Sequence, residues 1–195
     1  MKNKTYKEKY SNKARKKPIK NKKLINYNWI IKITLITFFI SLAFSLLSET
    51  IIPNANIVIS IILVLMFIMI GILFDIIGVS ITVADTKTFN SMSSKNIKGA
   101  KLAVKLIKNA EKVSSFCNDV IGDICGIISG ATSASIAVII SSKFNLNLLI
   151  VSLIVTSIVA SLTIGGKAIG KSIAINKSDV IIYRFASILA MFYRK

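Results

Sequence analysis

Three runs of apolar residues, 28–48, 57–77 and 146–164, are each about as long as a bilayer-spanning helix, and a fourth, 114–142, is longer and dotted with glycine, serine and two aspartates. A hydrocarbon core of roughly 30 Å takes about 20 helical residues to cross, and lipid offers the backbone no hydrogen-bond partners. These runs therefore predict helices. The fold class expected is all-α, a polytopic membrane protein with four transmembrane helices.

Between the second and third runs the pattern changes. Lys98, Lys101, Lys105, Lys108 and Lys112 recur at spacings of three and four, with Leu102, Leu106, Ile107, Ala110 and Val113 mainly off that stripe. The spacing predicts an amphipathic helix over 97–113, lying at the cytoplasmic membrane surface. A second interfacial helix is expected over 179–194, where Ser178 and Asp179 can cap an apolar segment carrying Arg184 that is too short to cross. A half-buried span is the alternative for that segment. In the third run Gly122, Gly126, Gly130 and Ala134 stand four apart, which predicts a bare helix face that another helix can approach, within the protomer or across a dimer. Gly166 and Gly170 repeat the spacing at the end of the fourth run.

The net charge is +18, and its placement matters more than its size. Eleven basic residues precede the first run, seven fall between the second and third, and six follow Ile164, whereas Lys143 alone lies in the opposite loops. The lysine and arginine excess marks the cytoplasmic side, so both termini and 86–113 are expected there, with 49–56 and 143–147 outside. A nucleic-acid partner needs a basic face on a folded soluble domain. Here the basic residues edge the membrane and suit anionic lipid headgroups. Residues 1–28 are too polar to fold and are expected to be a disordered cytoplasmic tail. The run behind them is too long for a secretory signal and has no small-residue cleavage site.

There is no histidine, which removes Ser-His, Cys-His and His-ligated zinc chemistry. Cys117 and Cys125 lie about 12 Å apart along one helix, beyond disulfide reach, and read as small apolar residues. No nucleotide-binding glycine loop is present, so no enzyme is expected. The conspicuous chemistry is carboxylate. Asp75, at the cytoplasmic end of the second run, and Asp119 and Asp123, at the cytoplasmic start of the third, are expected at one depth. A charge in a span is costly unless it faces water, a partner or an ion. Oxygen clusters of this kind suit hard cations such as Mg²⁺ or Ca²⁺.

The segment Gly78-Val79-Ser80-Ile81-Thr82-Val83-Ala84 resembles the S-x-S-E-T-A segment ending the first membrane helix of the CNNM/CorB/CorC magnesium transporters. Residues 166–174, from Gly166 through Lys167 and Gly170 to Ala174, resemble their G-E-x-x-P-K-T-L-A segment. The likeness covers 57–195, with spans over 57–83, 114–142 and 146–165. The helix over 29–48 would be an addition, and the nucleotide-binding CBS modules that usually follow are not in the sequence. Ile81 and Lys167 stand where the family has acidic residues, Gly170 replaces its proline, and Gly122-Asp123 corresponds to its Gly-Asn pair.

The resemblance implies a homodimer and a Mg²⁺ held by hydroxyl, amide and carboxylate oxygens near a cytoplasm-facing vestibule. Ser80 then matches a hydroxyl ligand and Thr82 a neighbour, while a protonated Lys167 cannot ligate metal. Two functions follow. In the first, Asp75, Asp119, Asp123 and Ser80 hold a transported divalent cation. In the second, the Lys167 ammonium takes the cation's place, and the chain is a non-transporting scaffold or regulatory subunit.

Overall fold

The computed structural model describes residues 27–51 and 56–192, and every regular element among them is helical. Helix α1 is Tyr27–Ile51, α2 Ile57–Val83, α3 Thr86–Ser94, α4 Ala100–Lys108 and α5 Ala110–Ser115. A π-helix, Phe116–Gly122, leads into α6, Asp123–Phe144, followed by α7, Leu148–Asn176, and α8, Ser178–Phe192. The expected tail over 1–28 lies almost wholly outside the described residues. By its contacts the chain divides into two units, Met1–Thr34 and Leu35–Lys195. Of the first, the described part is the opening of α1.

Four helical stretches are long and apolar enough to cross a membrane: Tyr27–Leu46, Ile57–Val83, Ala110–Phe144 and Leu148–Asn176. The chain is an integral membrane protein. Large aliphatic and aromatic side chains cover the outer faces of these helices, as a lipid solvent allows. The apolar window of α1 buries none of its residues, and Phe44 meets Phe67 of α2 edge-on with ring centroids 6.0 Å apart.

The second and fourth spans run parallel in a fixed register. A Cβ on Gly166 would strike Ile72, one on Gly170 would lie 2.9 Å from Ile76 Cγ1, and the Ser80 hydroxyl donates to the Ala174 carbonyl at 3.5 Å. Just past α2, the Asp85 backbone N–H donates to Asp179 Oδ1 at 3.0 Å. Contacts thus follow one another turn by turn along both helices. Gly166, Gly170 and Ala174 form a groove into which the Ile72 and Ile76 side chains fit, the close approach that small residues at four-residue spacing permit. Near the opposite membrane face, Val64 and Ile68 of α2 and Ile136 of α6 form a second packed cluster, flanked by Val155 and Val159 of α7.

The charged linker folds differently from its pattern. The helix expected over 97–113 breaks at Asn109, whose side-chain amide donates to the Lys105 carbonyl at 2.9 Å, and the chain restarts as α5. Part of the apolar side of α4 packs on the protein itself. Ala103 packs with Ile81 and Ala84 at the end of α2, Phe89 of α3, and Ile182 and Ala186 of α8, and these residues make a small core of their own. Gly99, at φ +83°, lets α4 start against α8, because a Cβ there would stand 3.0 Å from Ser187 Cα. Asp85 caps α3 through the Lys87 N–H, which holds its carboxyl below the usual carboxylate range.

Candidate functional site

The polar side chains of interest lie where α2 crosses the π-helix and the start of α6. The two strands of this crossing run antiparallel: Gly71 faces Gly122 and Cys125, and Gly78, two turns later, faces Asn118. Both contacts depend on a missing side chain. A Cβ on Gly71 would sit 3.2 Å from Cys125 Cβ, and one on Gly78 would overlap the Asn118 amide. Asp75 lies between these two glycines on the same face of α2, and it is 5% exposed.

Within this crossing two acceptors go unanswered. Asp75 Oδ2 and Asn118 Oδ1 are both buried, and neither receives a hydrogen bond from the protein. The other end of the Asn118 amide is engaged, its Nδ2 donating to Ser114 Oγ at 3.3 Å. A buried oxygen left without a donor costs about 1–3 kcal/mol, more if it carries charge. Such a pair in one interface marks a place where a cation or a proton-bearing group would be stabilised. The π-helix that carries Asn118 widens the turn, and single π turns inside α-helices recur at functional sites.

The other expected site residues are distributed around this crossing. Ser80, two residues beyond Gly78, is fully buried on another side of α2, where it is engaged with the Ala174 carbonyl. Asp119 and Asp123 stand on the exposed side of their helix, away from the buried face carrying Val120 and Ile124. The expected common depth therefore hides a difference of face. Lys167 reaches toward Asp123, with Nζ 3.7 Å from Oδ1; the lysine side chain is 23% exposed and the aspartate 66%. Its ammonium also approaches Gly122, where a Cβ would be 3.8 Å from Nζ. Thr82 is exposed and bonds back to the Val79 carbonyl at 2.7 Å. Among the described residues, no group of three or more acidic, cysteine or histidine side chains is arranged to hold a metal ion. Asp75 thus lies between the two glycines that meet the segment carrying Asn118, whereas Asp119 and Asp123 are exposed.

Asn118 was not singled out from the sequence, where the carboxylates beside it dominate. The available signal was Gly78, a glycine inside an apolar span that gives a polar side chain room. Of the glycine stripe on the third span, Gly122 is used in the crossing, whereas Gly126 and Gly130 have nothing within 4 Å of a built Cβ. Cys117 and Cys125 are free and buried, as small core residues. Near the opposite membrane face, an apolar groove of about 220 Å³ between α2, α6 and α7 is lined by aliphatic side chains such as Ile61, Leu65, Ile140 and Leu162.

No family model, curated protein or solved structure matches this chain.

Proposed function

We propose that this membrane protein handles a divalent cation of the Mg²⁺ type, in transport or homeostasis, as the CNNM/CorB/CorC membrane domain that its sequence resembles does. The observation that carries the reading is the pair of unanswered oxygens, Asp75 Oδ2 and Asn118 Oδ1, in the crossing of α2 and the π-helix. A carboxylate and an amide oxygen are hard donors of the kind Mg²⁺ and Ca²⁺ take, and Mg²⁺ commonly keeps several waters beside one or two protein carboxylates. Asp75 and Asn118 would hold the cation, and Ser80, five residues beyond Asp75 and bonded to the Ala174 carbonyl of α7, would stand behind them. Asp119 and Asp123, on the exposed face, would act as an outer attraction for cations. In this reading the lysine-rich side is cytoplasmic, with both termini there, and the working unit is a homodimer in the cell membrane.

The Lys167–Asp123 approach favours a second reading, in which the chain's own ammonium neutralises the site and the protein is a non-transporting scaffold or regulatory subunit. Thermal unfolding of the purified full chain in detergent separates the two. A ligand that binds only the folded state stabilises it by about 2.7 kcal/mol at a hundredfold excess over its Kd. The cation reading expects Mg²⁺ to raise the melting temperature of the wild type, and Asp75→Asn and Asn118→Ala to lose that rise. The second reading expects an indifferent wild type and a Lys167→Glu variant that gains a Mg²⁺ response. Indifference of the wild type and of all three variants to Mg²⁺, Mn²⁺ and Ca²⁺ would refute a metal site.

A further inference from the structure

A different surface, on the helices beside the spans, carries a separate inference. The segment 86–113 holds seven lysines against one glutamate, Glu111. Lys98, Lys101, Lys105, Lys108 and Lys112 are all exposed. Among the described residues none of Lys98, Lys101 and Lys108 is paired with a carboxylate. What the pattern alone does not reveal is how firmly this charge is displayed. The apolar side of α4 is used in part within the protein: Ala100 and Ala103 are fully buried, and Ala103 shares the small core with Phe89, Ile182 and Ala186. The glycine turn at Gly99 sets the start of the helix against Ser187. An amphipathic helix that sinks into a bilayer must keep its apolar face for the acyl chains. This one spends its alanines and part of Val104, Leu106 and Ile107 on the protein, and its exposed positions are Lys101, Lys105 and Lys108, held on a packed scaffold.

We infer that Lys98, Lys101 and Lys108 form a docking surface for the phosphate groups of anionic phospholipids in the protein's own membrane. Position selects this partner over other polyanions: α4 is joined to the third span through the single residue Asn109, so the stripe is tethered beside the headgroup layer. Attraction of this kind needs no insertion of side chains among the acyl chains, falls with ionic strength, and is independent of the cation reading above. It requires only that the protein spans a membrane.

The test is a titration of the full-length protein in neutral detergent with dioctanoyl phosphatidylglycerol, and with dioctanoyl phosphatidylcholine as the uncharged counterpart, following the melting temperature. The glycerol lipid should raise it and the choline lipid should not. A juxtamembrane lysine contributes about fivefold in binding to an anionic surface. Lys98→Gln, Lys101→Gln and Lys108→Gln combined should therefore weaken the response far more than glutamine at Lys2, Lys4 and Lys7, and arginine at the same three positions should retain it. A triple glutamine variant that responds like the wild type would overturn the inference, as would an equal loss from the tail variant. Stabilisation of the wild type by an RNA oligonucleotide but not by the anionic lipid would overturn it in favour of a nucleic-acid partner.

Discussion

The third and fourth spans carry the same stripe of small residues and use it differently. On the fourth, Gly166, Gly170 and Ala174 are filled by Ile72 and Ile76, and Ser80 bonds across to the Ala174 carbonyl. On the third, Gly122 is drawn into the crossing with α2, but Gly126 and Gly130 open onto empty space, and Ala134 is exposed. The stripes have equal spacing, so spacing alone does not decide the outcome. What differs is the opposing surface: α2 presents branched side chains one turn apart in register with the fourth span, and among the described residues nothing does so for Gly126 and Gly130 of the third. A glycine face permits close approach; the complementary ridge determines whether it happens.

The sharpest way to break this comparison is at Gly170. Gly170→Ile would force a branched side chain against Ile72 and Ile76, and overpacking of this kind costs about 1–3 kcal/mol. The expected result is a clearly lowered melting temperature in detergent. Adding Ile76→Ala should return part of that loss, because residues in direct contact couple by about 0.5–3 kcal/mol. A double-mutant cycle measured by denaturant unfolding reads that coupling, and strict additivity would show that the groove is not filled as described. The smallest effect on protomer stability is expected at Gly126. Gly126→Ile enters open space, so protomer stability should change within about 0.5 kcal/mol. If the open face meets a second copy, the mass measured by light scattering should fall from dimer to protomer, whereas unchanged mass and melting would remove any packing role for it.

The apolar run 57–77 located the second span, and the helix continues six residues past it to Val83. The fourth was legible only in part. Gly165, Gly166, Lys167, Gly170 and Lys171 end the apolar run, yet α7 continues to Asn176. Glycine weakens an isolated helix by about 1 kcal/mol per residue, but here the bare positions are what let α2 pack against it, and tertiary contact overrides propensity. The five lysines are each exposed, but they do not share one helix: Lys98 precedes Gly99, and Lys112 follows the break at Asn109, a division that side-chain spacing alone does not reveal. The aspartates show the same limit. Asp119 and Asp123 are four apart and share a face, but only the packed structure reveals that this face is the exposed one and that the buried Asp75 is opposite Asn118's segment.

The π-helix has a consequence for how this span can change over time. A turn closed by i→i+5 bonds holds one residue more than an α turn, and one residue of an α-helix corresponds to about 100° of rotation. Loss of a single residue within 119–121 would let the segment close as an α-helix with Asn118 still against Gly78 and Cys125 still against Gly71, because it removes the residue that the wider turn accommodates; drawn into α geometry at its present length, the same segment would instead turn Asn118 by about 100° relative to α6. The two halves of one membrane helix are thus set like throws on a crankshaft, and at this chain length it is the wide turn between them that keeps both aimed at α2.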